Sequence, residues 1–456
     1  MQNTAVVIMA GGQGKRMKSN LPKVLHKIAG KPMLTYVVKI INKLNLKKKI
    51  MITGYKGEKI RELIGNEIEY AEQTEQLGTA HAVLQSKQLL DNFNGNVLIL
   101  SGDVPFLKLE TLKKFLKLHQ DNDLSCSLLT ALIDNPQGYG RVIRDSNKNI
   151  TRIVEQADLN ENEKEINEIN AGIYCFEKKL LFQALEKITP NNKQNEYYLP
   201  DVLKYILDKG LKIGNVILED HGEILGINTR IDLAEASKKV YQDKLKQLMV
   251  QGVTIIDPKS TFIDDEVEIQ QDTIIYPFTI IEKSSTIGQD CVVGPYSHII
   301  NSKIGNCVKI SSSVIEHSEV KDSVQIGPYS HLRPGTKIEE KAKIGNFVEV
   351  KNSIVGEGSK ASHLTYLGDA ELGKKVNIGA GTITCNYDGE KKNKTIIGDG
   401  VFIGSNNALV APVKLGKESY TGAGSTITQD IPEKCLAIAR SRQKNILNWK
   451  NNKKNK

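Results

Sequence analysis

No apolar run in this chain of 456 residues approaches the roughly 18 that a membrane-spanning helix requires, so no membrane partner is expected. The opening MQNTAVVIMA has no charged leader ahead of its short apolar stretch and reads as a buried strand, not a secretion signal. Six cysteines (126, 175, 291, 307, 385 and 435) form no C-x-x-C pair and no dense framework, which excludes a disulfide scaffold and points to reduced thiols in the cytoplasm. A basic stripe with interleaved aromatics is missing as well. The formal charge is +9, but residues 229–440 are balanced at 25 basic to 26 acidic, and residues 441–456 hold six basic and no acidic side chains. That Lys/Asn-rich tail reads as a disordered, solvated end, and nucleic acid is not an expected partner.

What the chain does have is a six-residue beat. Aliphatic residues recur at Ile281, Ile287 and Val293, at Ile326, Leu332, Ile338, Ile344 and Val350, and at Ile397, Ile403, Leu409 and Leu415. Small or β-branched residues such as Cys291, Ser297, Ser330, Thr336 and Thr382 hold the place four further on. Neither a helix nor an alternating strand has this period; a solenoid of short strands and tight turns does. The rhythm persists to about Ile427 and is interrupted at Gly356–Leu367 and Asn386–Lys394, which read as loops extruded from the solenoid. A repeat by itself is equally compatible with a structural spacer or a trimerising tail.

Residues 1–228 differ. Apolar runs at Thr4–Met9, Lys49–Thr53, Val97–Leu100 and Ser125–Leu132 alternate with helical patterns, as in an α/β domain. Residues 229–250 read as a linking helix and 251–456 as the solenoid domain. After the first run comes Gly11-Gly12-Gln13-Gly14-Lys15-Arg16, with Lys23 behind it. Glycines let backbone N–H groups approach a phosphate, and Arg16 and Lys23 add fixed charge. No Gly-Lys-Ser/Thr follows, so this is not a P-loop. Gln73, Gln76-Leu77-Gly78-Thr79, Leu98–Asp103 and Gly138-Tyr139-Gly140-Arg141 are further polar or glycine-bearing turns at run ends.

In this order, with Glu155, Asn170 and Gly226-Ile227-Asn228, these segments resemble the sugar-phosphate nucleotidyltransferases, closest to their uridyltransferase branch. The resemblance implies a Rossmann-like mixed sheet and UTP as co-substrate. It implies nucleotide contacts from Met9, Ala10, Gly11, Gly12, Gln73, Gly78 and Thr79, with Arg16 and Lys23 on the phosphates. Gly140, Glu155 and Asn170 would hold an amino sugar, and Asp103 and Asn228 would bind Mg²⁺. Gly11 stands where alanine is usual and Lys15 where threonine is usual. A sugar 1-phosphate is already ionised at neutral pH, so no general base is expected there.

Two strings in the solenoid, Ser362-His363-Leu364-Thr365-Tyr366-Leu367-Gly368-Asp369 and Asn377–Gly389, resemble hexapeptide acyltransferases. Nearly the whole chain, all but the tail, is similar to the bifunctional N-acetylglucosamine-1-phosphate uridyltransferase/glucosamine-1-phosphate N-acetyltransferases. That likeness implies an all-β, left-handed parallel β-helix, acetyl-CoA as a second co-substrate, sugar phosphates as ligands, and a homotrimer with acetyltransferase sites at subunit contacts. It makes His363 the general base. Arg333, Lys351, Tyr366 and Asn377 would bind the sugar phosphate, Asn386 and Tyr387 would lie near the reacting groups, and Ala380, Ser405, Ala423 and Arg440 would meet acetyl-CoA. Histidine suits the task, since an imidazole titrating near ~6.5 accepts a proton readily from an amine near ~8. His81, His298, His317 and His331 read as buried residues satisfied by neighbours.

Overall fold

The computed structural model of the chain describes residues 3–447 and residue 449; most of the tail beyond 447, expected to be disordered, lies outside the described residues. The chain divides into two compact units, 1–237 and 238–456, with the boundary inside the helix Arg230–Val250. None of the described helices is long and apolar enough to cross a membrane.

The first unit is built on nine strands: β1 (Thr4–Met9), β2 (Lys48–Thr53), β3 (Glu69–Glu72), β4 (Asn96–Ser101), β5 (Cys126–Leu132), β6 (Arg141–Arg144), β7 (Ile150–Val154), β8 (Glu168–Glu177) and β9 (Ile213–Leu218). Their order is β9-β5-β8-β4-β1-β2-β3, with the β6–β7 hairpin hanging from β8. β1 runs parallel to both β2 and β4, whereas β8 lies antiparallel between β4 and β5, so the sheet is mixed. Central strands are covered on both faces, which is why Ala5, Val6, Val7 and Ile8 are all fully buried and the strand reads as one apolar run. The glycine-rich loop leaves the carboxyl end of β1 and Ser101-Gly102-Asp103 the carboxyl end of β4, next to each other in the sheet. This is the edge where open α/β sheets place ligands.

The second unit is a prism of stacked coils. Its inward aliphatics form ladders: Ile263 faces Ile281, Ile281 faces Ile299, Ile299 faces Ile315, Ile315 faces Leu332, and Leu332 faces Val350. These steps are eighteen, eighteen, sixteen, seventeen and eighteen residues, so the six-residue beat survives small deletions at the corners. All six residues are fully buried, and each such side chain contributes about 1.5–3 kcal/mol by leaving water. The corners require left-handed backbone. Non-glycine residues fill many of them, including Phe347 (φ 57°), Leu364 (φ 45°), Asn352 (φ 46°) and Asp369 (φ 48°). Parallel pairing continues to Leu436–Ala437, beyond the limit at Ile427 that the rhythm suggests.

One expectation is corrected. Gly356–Leu367 is not an extruded loop: Lys360–Gly368 is a nine-residue strand in continuous register with Lys343–Lys351. The rhythm falters because polar residues line its outer face, not because the chain leaves the prism. Asn386–Lys394 does leave it, and the coil from Leu372 to Ile397 is lengthened to twenty-five residues as a result.

A buried histidine in the first unit gives a stability test. His119, 1% exposed, meets Ser127 Oγ at 2.9 Å through Nδ1, and its Nε2 has no hydrogen-bond partner. Burial depresses its pKa from 6.5 to about 4. The unfolded chain therefore takes up a proton that the folded chain refuses, so the contribution of His119 to stability should fall as pH drops from 6.5 towards 4 and level off below that. The loss is on the order of 3 kcal/mol. Urea unfolding of the full chain across this range should show the slope, and His119→Gln should reduce it.

Candidate active sites

Asp103 is the centre of the first site. Ser101 Oγ donates to its Oδ1 at 2.5 Å, and Lys23 Nζ forms an ion pair with its Oδ2. Asn228 Oδ1 accepts from Lys23 Nζ at 3.0 Å and from Arg16 Nη2 at 2.9 Å. Burial opposes the charge on Asp103, but the Lys23 ammonium and the Ser101 hydroxyl outweigh it and hold the carboxyl below the usual range. Asn228 is fixed by the start of the following helix. Asp232 accepts the backbone N–H groups of Asn228 and Thr229, both at 2.9 Å, and Thr229 Oγ1 accepts from the Asp232 N–H at 3.1 Å, a reciprocal cap.

A cleft of about 320 Å³ opens over this group, lined by Met9, Ala10, Gly11, Gly12, Lys23, Gln73, Gly78, Thr79 and Asp103 among others. Glycine is required at its wall at Gly78 and behind Lys23 at Gly14. A Cβ on Gly14 would lie 2.6 Å from Lys23 Cβ, and one on Gly78 2.5 Å from the Tyr197 carbonyl oxygen, both at left-handed φ. At Gly12, by contrast, a Cβ would meet nothing within 4 Å, so its backbone borders open cleft. Gln73 is aligned by the Gly78 carbonyl, to which its Nε2 donates at 3.1 Å. One carboxylate and one amide oxygen, already neighbouring a cationic nitrogen, are a donor set that suits Mg²⁺, which keeps waters and takes substrate phosphates for its remaining positions. No cluster of three or more His, Cys, Asp or Glu able to hold a metal occurs among the described residues.

Gly140, Glu155 and Asn170 come together beside the β6–β7 hairpin. The Asn170 N–H donates to the Gly140 carbonyl at 2.9 Å, and a Cβ on Gly140 would lie 3.3 Å from Glu155 Oε1. Burial, together with Asp201, Asp158 and Glu196, raises the Glu155 pKa. Glu196 also lines the cleft described above, so the two groups of residues adjoin. Tyr174 was not visible in the sequence as a site residue. Buried on β8, it takes a 2.6 Å hydrogen bond from Asn170 Nδ2, while the Gly172 N–H donates to Asn170 Oδ1 at 3.1 Å and so fixes which way that amide faces.

In the prism, register assembles the second site. Asn346 pairs with His363, and corner hydrogen bonds carry the column on through Ala380, Ser405 and Ala423 in successive coils: Gly381 N–H to Leu364 O, Asn406 N–H to Ala380 O, and Gly424 N–H to Ser405 O. Arg440 Nη1 reaches the Ala423 carbonyl at 2.9 Å and closes the column. His363 is exposed, and its Nδ1 donates to Asn346 Oδ1 at 2.7 Å, which leaves Nε2 as the free basic nitrogen. Asn346 was not singled out from sequence; only its place seventeen residues before His363, one coil back, could have flagged it.

One face onward from that corner lie Arg333, Glu349, Lys351 and Tyr366. Arg333 Nη1 donates to Glu349 Oε1 at 2.8 Å, and Glu349 pairs with Tyr366. The excursion Asn386–Lys394 is a closed hairpin. Asp388 accepts the backbone N–H groups of Glu390 and Lys391 and the Asn393 amide, which hold its carboxyl down to about 2. The hairpin brings Lys392 against Lys351, and the Lys392 ammonium, with Arg333 further off, pulls the Lys351 pKa below the ordinary lysine range. Three cations are thus crowded on one surface. Lys392, inside a polar run, carried no signal in the sequence. Asn377 is not part of this group within one chain: it pairs with Lys360 and Phe402 on the face before the His363 corner.

The four histidines expected to be buried are partnered but not buried. His81 meets Gln73 and Gln85, His298 meets Glu282, His331 meets Glu316, and the exposed His317 meets Asn301. Cys291 is buried against the Gly305 carbonyl, and all six cysteines are unpaired.

Residues 5–234 match the nucleotidyl transferase family, and residues 317–352 and 394–429 match the bacterial transferase hexapeptide repeat. The chain is thus a nucleotidyl transferase continued into a hexapeptide-repeat transferase. It is 48% identical to the bifunctional protein GlmU of Listeria monocytogenes serovar 1/2a over 98% of both chains. It is 49% identical to that of Geobacillus thermodenitrificans over 97% of this chain and 96% of the other, and 48% identical to that of Carboxydothermus hydrogenoformans over 96% and 98%. The chain belongs to the family of bifunctional GlmU proteins.

The cation cluster can be tested alone. Lys392→Ala should raise the Lys351 pKa towards the ordinary lysine range, followed by NMR of carbon-labelled lysine, and should weaken the response of the Lys351 signal to added inorganic phosphate.

Proposed function

We infer that the chain makes UDP-N-acetylglucosamine in two transfers. The solenoid domain, residues 251–456, acetylates glucosamine 1-phosphate from acetyl-CoA. The α/β domain, residues 1–228, then joins N-acetylglucosamine 1-phosphate to UTP and releases pyrophosphate. The observation that carries this reading is the presence in one chain of two built sites of different chemistry: an acid-and-cation cluster under a glycine-rich loop, and an oriented imidazole beside a cluster of cations.

For uridyl transfer, the sugar phosphate oxygen attacks the α-phosphorus of UTP, the new P–O bond forms, and the bond to pyrophosphate breaks. The nucleophile is already anionic, so the obstacle is repulsion between phosphates. Lys23 and Arg16 offset that charge, and the glycine-lined backbone of residues 11–12 admits the phosphates closely. Gln73, Gly78 and Thr79 hold the uracil ring, and Gly140, Glu155 and Asn170 the amino sugar. Asp103 and Asn228 would hold Mg²⁺, which would neutralise phosphate charge when bound.

For acetyl transfer, the sugar amine attacks the thioester carbon, the N–C bond forms, and the amine proton passes to His363 Nε2. The C–S bond then breaks, and the CoA sulfur leaves. Asn346 keeps His363 in the tautomer that can accept, and Arg333, Lys351 and Lys392 hold the sugar phosphate in place. Tyr366 and Asn386-Tyr387 border the reacting groups, while Ala380, Ser405, Ala423 and Arg440 form the acetyl-CoA column. We further propose a homotrimer. It would bring Asn377 of one copy towards the sugar phosphate of its neighbour, and it would cover the exposed stacked pairs Phe278–Tyr296 and Tyr329–Phe347. Both co-substrates and the unpaired cysteines suit the cytoplasm.

Full-length protein given glucosamine 1-phosphate, acetyl-CoA, UTP and Mg²⁺ tests the assignment. His363→Ala should lower acetylation by a factor on the order of 10²–10⁴ while uridyl transfer continues. Asp103→Ala should do the converse. Acetylation that survives the loss of His363 would leave the prism a trimerising scaffold.

A further inference from the structure

We propose that Asp369 is a positioning residue for acetyl transfer, acting through Asn386; this rests on the acetyltransferase reading above. Asp369 sits at a left-handed corner (φ 48°) and is 8% exposed. Both of its carboxylate oxygens are engaged by amides: Asn352 Nδ2 donates to Oδ1 at 2.6 Å, and Asn386 Nδ2 donates to Oδ2 at 2.5 Å. Its backbone ties the same residue to both ends of the site. The Asp369 N–H donates to the Lys351 carbonyl at 3.0 Å, and its own carbonyl accepts from Thr395 N–H at 3.2 Å, where the hairpin rejoins the prism.

A carboxylate accepts hydrogen bonds and cannot donate them. Asn386, itself 8% exposed, must therefore turn its NH₂ towards Asp369 and its carbonyl Oδ1 the other way. Gly368 lets this happen beside the sugar-phosphate residues. A Cβ there would collide with the Tyr366 hydroxyl and would lie 2.8 Å from Asn386 Nδ2, so Tyr366 and Asn386 meet over bare backbone. An Asn386 carbonyl held in this sense accepts an N–H from the attacking amine and aims its lone pair at the thioester, while a second N–H proton is left for His363. A flipped amide would set N–H against N–H. Asp369 thereby decides which edge of Asn386 the substrate meets.

The test is a thermodynamic cycle on the full chain with Asp369→Asn, Asn386→Ala and the double variant. Asparagine at 369 keeps the shape but can donate, so Asn386 is free to flip. Asp369→Asn should lower kcat for acetylation on the order of tenfold or more, with KM for acetyl-CoA and the rate of uridyl transfer unchanged. If Asp369 acts only through Asn386, the double variant is no slower than Asn386→Ala alone. Multiplying losses, or wild-type kcat in Asp369→Asn, would overturn the proposal. Lost binding of inorganic phosphate in Asp369→Asn, read on the Lys351 NMR signal, would also overturn it, because the hairpin itself would then have failed. Absence of acetylation in the unsubstituted protein would instead sink the acetyltransferase reading.

Discussion

The register between successive coils is the constraint on which the second domain depends. A two-residue strand cannot satisfy its own backbone, so every N–H and C=O on these short strands must find its partner one coil away. Hydroxyls reinforce the same lock from inside: Thr273 Oγ1 reaches the Gly288 carbonyl at 2.8 Å, Ser330 Oγ that of Gly345 at 2.6 Å, and Ser359 Oγ that of Gly373 at 2.7 Å. Where the small place of a hexad holds a hydroxyl residue, this bridge is its physical meaning. A larger side chain would wedge the coils apart, and an alanine would give up the bridge. Once register is set, the column Asn346, His363, Ala380, Ser405, Ala423 is an unavoidable consequence, since each member is the same position in the next coil.

The two sites are held by different means. The prism site is mounted on strands whose spacing is fixed by backbone pairing and by an aliphatic stack with no slack. The nucleotide site is mounted on loops at the carboxyl edge of a sheet, and fixed side-chain bonds do the work that register does in the prism. Asn228 is held by the Thr229/Asp232 cap, Gln73 by the Gly78 carbonyl, and Asn170 by Tyr174. Loops of this kind admit a bulky triphosphate and release pyrophosphate, whereas a coil stack offers a flat, stiff surface on which a flexible thioester can lie.

The architecture was open to reading because it is periodic. Six-residue spacing and apolar runs between glycine turns depend on local steric rules, and so does the alternation in the first domain. The site residues that could be read were those inside unusual strings: the glycine-rich loop, Leu98–Asp103, and the stretch around His363. Those that could not be read owe their role to neighbours far away in the chain. Asn346 and Asp369 are ordinary corner residues until the next coil brings His363 or Asn386 against them. Lys392 is one lysine in a polar run until a hairpin pinned by Asp388 sets it beside Lys351. Tyr174 looks like any core aromatic of a strand. The misreading of Gly356–Leu367 has the same origin, because polar residues on the outer face of a strand and polar residues in a loop are alike in one dimension.

Both domains converge on one electrostatic problem and differ in one respect. In the reading proposed above each must meet phosphate charge, and in each a cation is held beside an acceptor: Lys23 by Asp103 and Arg16 by Asn228 in the first, Arg333 by Glu349 in the second. The prism adds the exposed imidazole of His363, oriented by Asn346. The difference follows from the nucleophile. A phosphate oxygen arrives already deprotonated and needs its repulsion from a second phosphate screened, whereas an amine must shed a proton as it bonds to carbon. A base beside Asp103 would have no proton to take and would add negative charge where the reaction can least accept it. The prism, lacking a base, would bind the amino sugar and leave it protonated.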